Sequence, residues 1–263
     1  MSTVVGCNTR KYHGLLIAPF AAPGRRRLIL SKVDESIEIK GEKYNLFTNI
    51  ANNYISDGYK HLESFKKEYI PIFTYKVQDI EIKKIICMEY GKNTVCILYK
   101  IKTGKNKAKF TLAPIINDRD FHQMSINHRF ELKQSVKNQK VTVIVDNQAE
   151  DPIYINMSEG TYIEHHEDMF NNMYYIEEEK RGFYPEENLA VPGRYEIELQ
   201  ANQEKEVSFV CSMEDNIEEL DVKKVINDEI IRIRELVINS ALYDTKEEAK
   251  YEENYKEFIQ NYI

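Results

Sequence analysis

Apolar and polar positions alternate along most of this chain, from residue 15 to about residue 213. Short apolar runs, LLIAP and RLILSKV, open the pattern. SIEIKGEKYNLF carries it across Lys40, Gly41 and Glu42, a turn signal between two strands. YIPIFTYKV, IEIKKIICMEY and TVCILYKIK follow, the last two parted by Gly91, Lys92 and Asn93. KFTLAPII comes next, then RFELKQSV and KVTVIVD, joined through Asn138 and Gln139. PIYINMS, YEIELQA and KEVSFVCSM complete about a dozen expected strands. No helical crossover interrupts them, so the sheets are expected to be mainly antiparallel. Two stacked sheets would bury both apolar faces.

The alternation fails in two places. Residues 165–193 are dense in polar and aromatic groups without a strand period, and read as a long, irregular but ordered insertion. After Met213, Val222, Val225, Ile226, Ile230, Ile233 and Val237 keep helical spacing. Asp215 followed by Glu218 reads as the cap of that helix. A second helix is expected from Thr245, with Tyr251, Tyr255, Phe258 and Tyr262 on one face. The chain stops at Ile263 without a capping glycine, as though cut within a helix.

Composition narrows the functional classes. The 263 residues carry 43 acidic against 36 basic groups, a net charge of −7 that disfavours a general nucleic-acid or membrane-surface binder. The short run Arg25, Arg26, Arg27 reads as a loop entering a strand. None of the four cysteines forms a CxxC pair, which argues against a zinc knuckle or redox dithiol. Cys87 and Cys96 are placed to meet across a hairpin as small buried hydrophobes. His165, His166, Glu167 and Asp168 are adjacent rather than at facing spacing, so no metal site is expected. No cofactor fingerprint is present: the glycines form neither a phosphate loop nor a dinucleotide motif. Without a secretory signal or a long apolar span, a cytoplasmic protein is expected.

Four blocks carry a more specific message. TVVGCNTRKYHGLL, LILSKVDESI, LAPIINDRDFHQM and YYIEEEKRGFYPEENLAVPGRYEI, in that order, resemble the N-terminal domain of the bacterial and archaeal type of glycogen debranching enzyme. The resemblance implies a mainly β fold: a large antiparallel β supersandwich, galactose-mutarotase-like and similar to the glucoamylase N-domain, followed by C-terminal linker helices. It divides the chain into a supersandwich at 1–213 and a helical linker at 214–263. That linker would lead to an (α/α)6 catalytic domain, in cis or as a separate chain. The family's usual strand before Ser2 and the toroid itself are missing from this sequence. In such enzymes 4-α-glucanotransferase and amylo-α-1,6-glucosidase activities act on α-glucan, and the toroid holds the hydrolytic acids. The resemblance therefore implies no catalytic residue here.

The residues agree with that division. Glycosidic cleavage needs two carboxyl groups flanking one bond. The acids here sit mostly in runs such as EEEK and EHHED, which are normally solvated. Asp120 is the best isolated acid, and an ion pair with Arg119 or Arg10 is its expected role. Planar polar groups and aromatic faces are what sugars bind. Three loops offer that set: Arg10, Lys11, Tyr12 and His13; Asn117, Arg119, Asp120 and His122; and Lys180, Arg181 and Tyr184. Gly14 would relax the backbone where the first loop meets the core. These loops are expected at one end of the sandwich, bordering a glucan cleft. The same arginines could instead pin loops by buried ion pairs, or dock the toroid. An autonomous carbohydrate-binding or protein-docking sandwich is the alternative reading.

Overall fold

The computed structural model describes residues 2–21, 24–51, 54–67, 69–148, 150–165, 168–239, 250, 253–254 and 256–258. The strands are β1 (Leu16–Ala21), β2 (Arg25–Ile39), β3 (Glu42–Asn45), β4 (Ile50–Ala51), β5 (Tyr54–Ile55) and β6 (Leu62–Lys67). β7 (Pro71–Val77), β8 (Ile80–Met88), β9 (Thr94–Lys102), β10 (Ala108–Asp120), β11 (Leu132–Lys137) and β12 (Lys140–Val145) follow. β13 (Ile153–Met157), β14 (Thr161–Glu164), β15 (Met169–Tyr174), β16 (Glu186–Ala190), β17 (Gly193–Leu199) and β18 (Glu204–Ser212) complete the set. The helices are α1 (Ile176–Glu179) and α2 (Val222–Ile238).

The strands form two antiparallel sheets of ten and eight strands, the expected sandwich. The larger runs β1-β2-β10-β16-β15-β4-β5, with β17 also on β10 and β14, and β3 on β2. The smaller runs β11-β12-β13-β18-β9-β8-β7-β6. Facing side chains such as Ile37, Phe110 and Ile197 from one sheet and Ile97, Val143 and Phe209 from the other make the shared core.

Burial follows what covers each outer face. β12 alternates cleanly because its far side meets water. β9 is buried almost throughout, because α2 lies over the far side of the smaller sheet. Val222, Ile226 and Ile230 of α2 pack there with Ile85, Cys87, Cys96 and Leu98. Cys87 and Cys96 are register partners with free thiols, and burial pushes the Cys87 thiol up to about 12. Phe258 joins the same cluster against Tyr69, ring centroids 5.1 Å apart. The expected start of the second helix at Thr245, and Tyr251, Tyr255 and Tyr262, lie outside the described residues.

Two expectations need correction. Asp221, not Asp215, caps α2: its carboxylate accepts the Lys224 N–H at 3.1 Å. Asp215 and Glu218 are instead held by the Lys140 ammonium of β12, at 2.6 and 3.2 Å. Asp221→Ala should lower stability by about 1 kcal/mol, and thermal melts of that variant beside Asp215→Ala check the assignment. Residues 165–193 are not mainly irregular, since β15, α1 and β16 occupy much of them. Buried polar side chains on both faces of β16, Glu187 and Asn188, hide the strand period from a hydropathy pattern.

Candidate functional site

The site grows from the end of β10. Ile116 pairs with Leu30, but Arg119 pairs with Leu28, so the strand bulges at Asn117 and Asp118. Asp118 takes a left-handed φ of 74°. Ile116 and Ala190 point into the shared core, whereas Ile115 and Leu189 cluster with Met173 and Tyr175 on the far side of the larger sheet. Glu187 lies two residues before Leu189 and shares that far side.

Glu187 is the hub. Its carboxylate accepts hydrogen bonds from Arg119 Nε, Arg119 Nη2 at 3.1 Å, Asn117 Nδ2 at 3.0 Å, the Ser125 N–H at 3.0 Å and the Tyr175 hydroxyl at 2.6 Å. Only 1% of the residue is exposed. Arg119 spends its remaining donors on the carbonyls of Asp120, Phe121 and Lys11. All five guanidinium N–H groups are thus engaged within the protein. Arg119 and Asn117 position the neighbouring loops.

The first loop closes over this hub. Arg10 Nε meets the buried Glu178 at 3.2 Å, and the Glu177 N–H donates to the Thr9 carbonyl at 3.0 Å. Lys11 Nζ donates to the His122 carbonyl at 2.7 Å. Tyr12 stacks on Phe121 with centroids 4.9 Å apart and lies 5.9 Å from the His122 ring. The Thr9 N–H donates to His13 Nδ1, which leaves the proton on Nε2. Burial, aided by nearby positive charge including Arg10, lowers the His13 pKa and keeps the ring neutral. Gly14 is needed for space: an added Cβ would sit 2.3 Å from a Leu28 methyl, and its φ is not left-handed.

The third loop joins through residues the sequence did not single out. Glu177, Glu178 and Glu187 make its contacts to the other two, and Tyr175 braces Glu187 from within the segment. Lys180 pairs with Glu177, Arg181 lies beside Phe183 and Tyr184 bonds Glu186, all within their own segment. Lys180, Arg181 and Tyr184 stand exposed. Two readings of acids also change. Glu178 of EEEK is buried rather than solvated, because Arg10 reaches it. Asp120 takes neither expected arginine: Arg119 pairs with Glu187, Arg10 pairs with Glu178, and the Asp120 carboxylate accepts the His122 N–H at 2.8 Å.

Asp118 faces a separate partner. Its Oδ2 is 2.5 Å from Arg27 Nη2, close but not aligned as a hydrogen bond. Arg27 also meets Asp151 at 2.9 Å. Burial raises the Asp118 pKa to about 6 against the pull of Arg27, with Asp151 and Asp146 pushing the same way as burial. Next to it, Asn117, Arg119, Gln123, His128 and Asp146 help line an open cleft of about 260 Å³. His166 and Glu167 lie outside the described residues; His165 pairs with Asp168 at 2.8 Å. Among the described residues no three His, Cys, Asp or Glu side chains are grouped to hold a metal ion. No helix among them is long and apolar enough to cross a membrane.

Residues 1–206 match the family described as glycogen debranching enzyme N terminal. The chain belongs to that family. This debranching-family domain has no match among curated proteins. Solved structures similar to it include a bacterial glucoamylase complexed with acarbose, 13% identical over 84% of this chain, with a TM-score of 0.48. A putative kojibiose phosphorylase from human microbiome is 10% identical over 95% of the chain, with a TM-score of 0.34. The chain spans 34% and 32% of the lengths of those two proteins. Membership of the debranching family rests on the sequence match.

Proposed function

We propose that this domain of the debranching family supplies a non-hydrolytic rim to an α-glucan cleft and supports an (α/α)6 catalytic domain. The observation that carries the reading is the convergence of the three family blocks around Glu187, with Arg10, Lys11, Tyr12 and His122 on the accessible side. Aromatic faces at Tyr12 and His122 suit the C–H face of a glucose ring, and Arg10, Lys11 and His13 supply donors for its hydroxyls. Arg119 and Asn117 hold this rim from beneath. Asp120, Lys180, Arg181 and Tyr184 are exposed polar groups of the same loops. Residues 214–263 serve in this reading as the link towards the catalytic domain.

The carboxylates of this patch support a non-hydrolytic role. Glu187 and Glu178 are buried and committed to arginines, which leaves neither free to protonate a leaving group or activate water. Incubated with branched limit dextrin, the chain alone should release no glucose; measurable release overturns that part. In an enzyme joining this domain to its catalytic domain, Tyr12→Ala should lower kcat/KM on limit dextrin about tenfold, the scale of one lost aromatic contact. Unchanged kinetics would remove the sugar contact and leave a purely structural loop. Firm binding of maltoheptaose by the chain alone would favour the autonomous carbohydrate-binding module instead.

A further inference from the structure

Arg25, Arg26 and Arg27 begin β2, and the structure gives them different work. Arg27 is buried in its ion pairs with Asp118 and Asp151. Arg26 is exposed and lies over the Phe121 ring, its guanidinium carbon 4.6 Å from the centroid. Stacking uses the face of a guanidinium and leaves its edge N–H groups free for a planar, bidentate acceptor. Phe121 in turn stacks on Tyr12, and the Lys11 ammonium lies 5.2 Å from the Tyr12 centroid. Lys11 spends one donor on the His122 carbonyl, leaving two. Both cations thus lie against one aromatic cluster of Tyr12, Phe121 and His122 at the rim.

Their counter-charges are few. Arg10 is matched by Glu178. Asp120 is the neighbouring acid, and its carboxylate is turned to the His122 N–H of its own loop. Among the described residues, no carboxylate lies within ion-pair distance of Lys11 or Arg26. A positive rim on a chain of net charge −7 is an exception to the whole.

We propose that this end of the domain binds a phosphorylated α-glucan unit, with the phosphate ester held by Arg26 and Lys11 and the sugar ring laid on Tyr12 and His122. The inference rests on the glucan-rim reading and adds the anionic group. Aromatic surface without the cations would suit neutral sugar alone; cations without the rings would suit any anion. Both together fit a sugar that carries a phosphate.

The test uses the 263-residue chain, with glucose 6-phosphate, glucose and inorganic phosphate as separate probes, read by the imidazole NMR signals of His122. Glucose 6-phosphate should bind about tenfold tighter than either other probe and weaken as salt rises. Arg26→Gln should reduce its affinity about tenfold with melting temperature unchanged, Lys11→Gln should also reduce it about tenfold, and Arg26→Lys should restore part of it. Equal affinity for inorganic phosphate would show a bare anion site and overturn the proposal, as would an unaffected Arg26→Gln. If glucose 6-phosphate fails while Tyr12→Ala still lowers kcat/KM on limit dextrin, the phosphate site falls and the neutral glucan rim stands. If both fail, the glucan reading falls with it.

Discussion

Glu187→Ala should lower the free energy of unfolding by about 3–5 kcal/mol, the cost of stranding a buried cation. Arg119 would keep its bonds to three carbonyls but lose the carboxylate that pairs with it. The Asn117 amide, the Ser125 N–H and the Tyr175 hydroxyl would each lose an acceptor as well. Glu187→Gln should fare little better, since an amide nitrogen would then point at donors. Tyr175→Phe removes one donor and should cost only about 1 kcal/mol. Urea titrations should show the midpoint falling with an unchanged slope. A Glu187→Ala chain as stable as the parent would mean the hub is not what holds the loops.

A second effect should appear in the pH dependence of stability. Asp118 ionises near pH 6 when folded, against about 3.9 in an unfolded chain. The folded state therefore holds this proton more tightly. Its contribution favours folding at pH 4 and is lost as pH rises through 6, a swing of about 2–3 kcal/mol. Other acids act in the opposite sense: Glu196 and Glu204, each held by a cation, have lowered pKa values and lose stability as pH falls. The difference between the parent and Asp118→Asn isolates the one group. Unfolding curves from pH 4 to 7 should show the parent losing stability relative to Asp118→Asn as pH rises. Parallel curves would place the Asp118 carboxyl in the ordinary range.

Most of the β architecture was legible because one face of many strands is wet. Strands such as β12 and β17 keep a strict period, and the turn residues at 40–42, 91–93 and 138–139 mark real hairpins. The short strands β4, β5 and β14 carry too few positions to show one. The helical stripe from Val222 was also plain, but its cap was not. Asp215 and Asp221 look alike in sequence, and only the arrival of Lys140 from β12 decides between them.

The site was half legible. The polar density of residues 8–13 and 117–122 announced itself, and contacts join those two loops directly. Glu187 and Glu178 did not stand out, because an acid beside other acids reads as solvated. What buries them is an arginine 68 residues away in one case and 168 in the other, and no local window reports such a pairing. The one available hint was periodic: Glu187 falls on the same strand face as the apolar Leu189. Arg26 was hidden for the opposite reason. A run of three arginines suggests one shared role, yet alternation along β2 sends neighbours to opposite faces.

The order of synthesis adds a constraint to this end of the domain. Lys11 is made 108 residues before the Arg119 that grips its carbonyl, and Arg119 is made 68 residues before Glu187. While the ribosome is still short of Glu187, the guanidinium has no anion to meet, and sequestering it from water is unfavourable. A nascent chain can therefore assemble β6 to β9 as a local meander while the loop at residues 10–13 stays open. The loop at residues 10–13 is thus among the last parts of the domain to set.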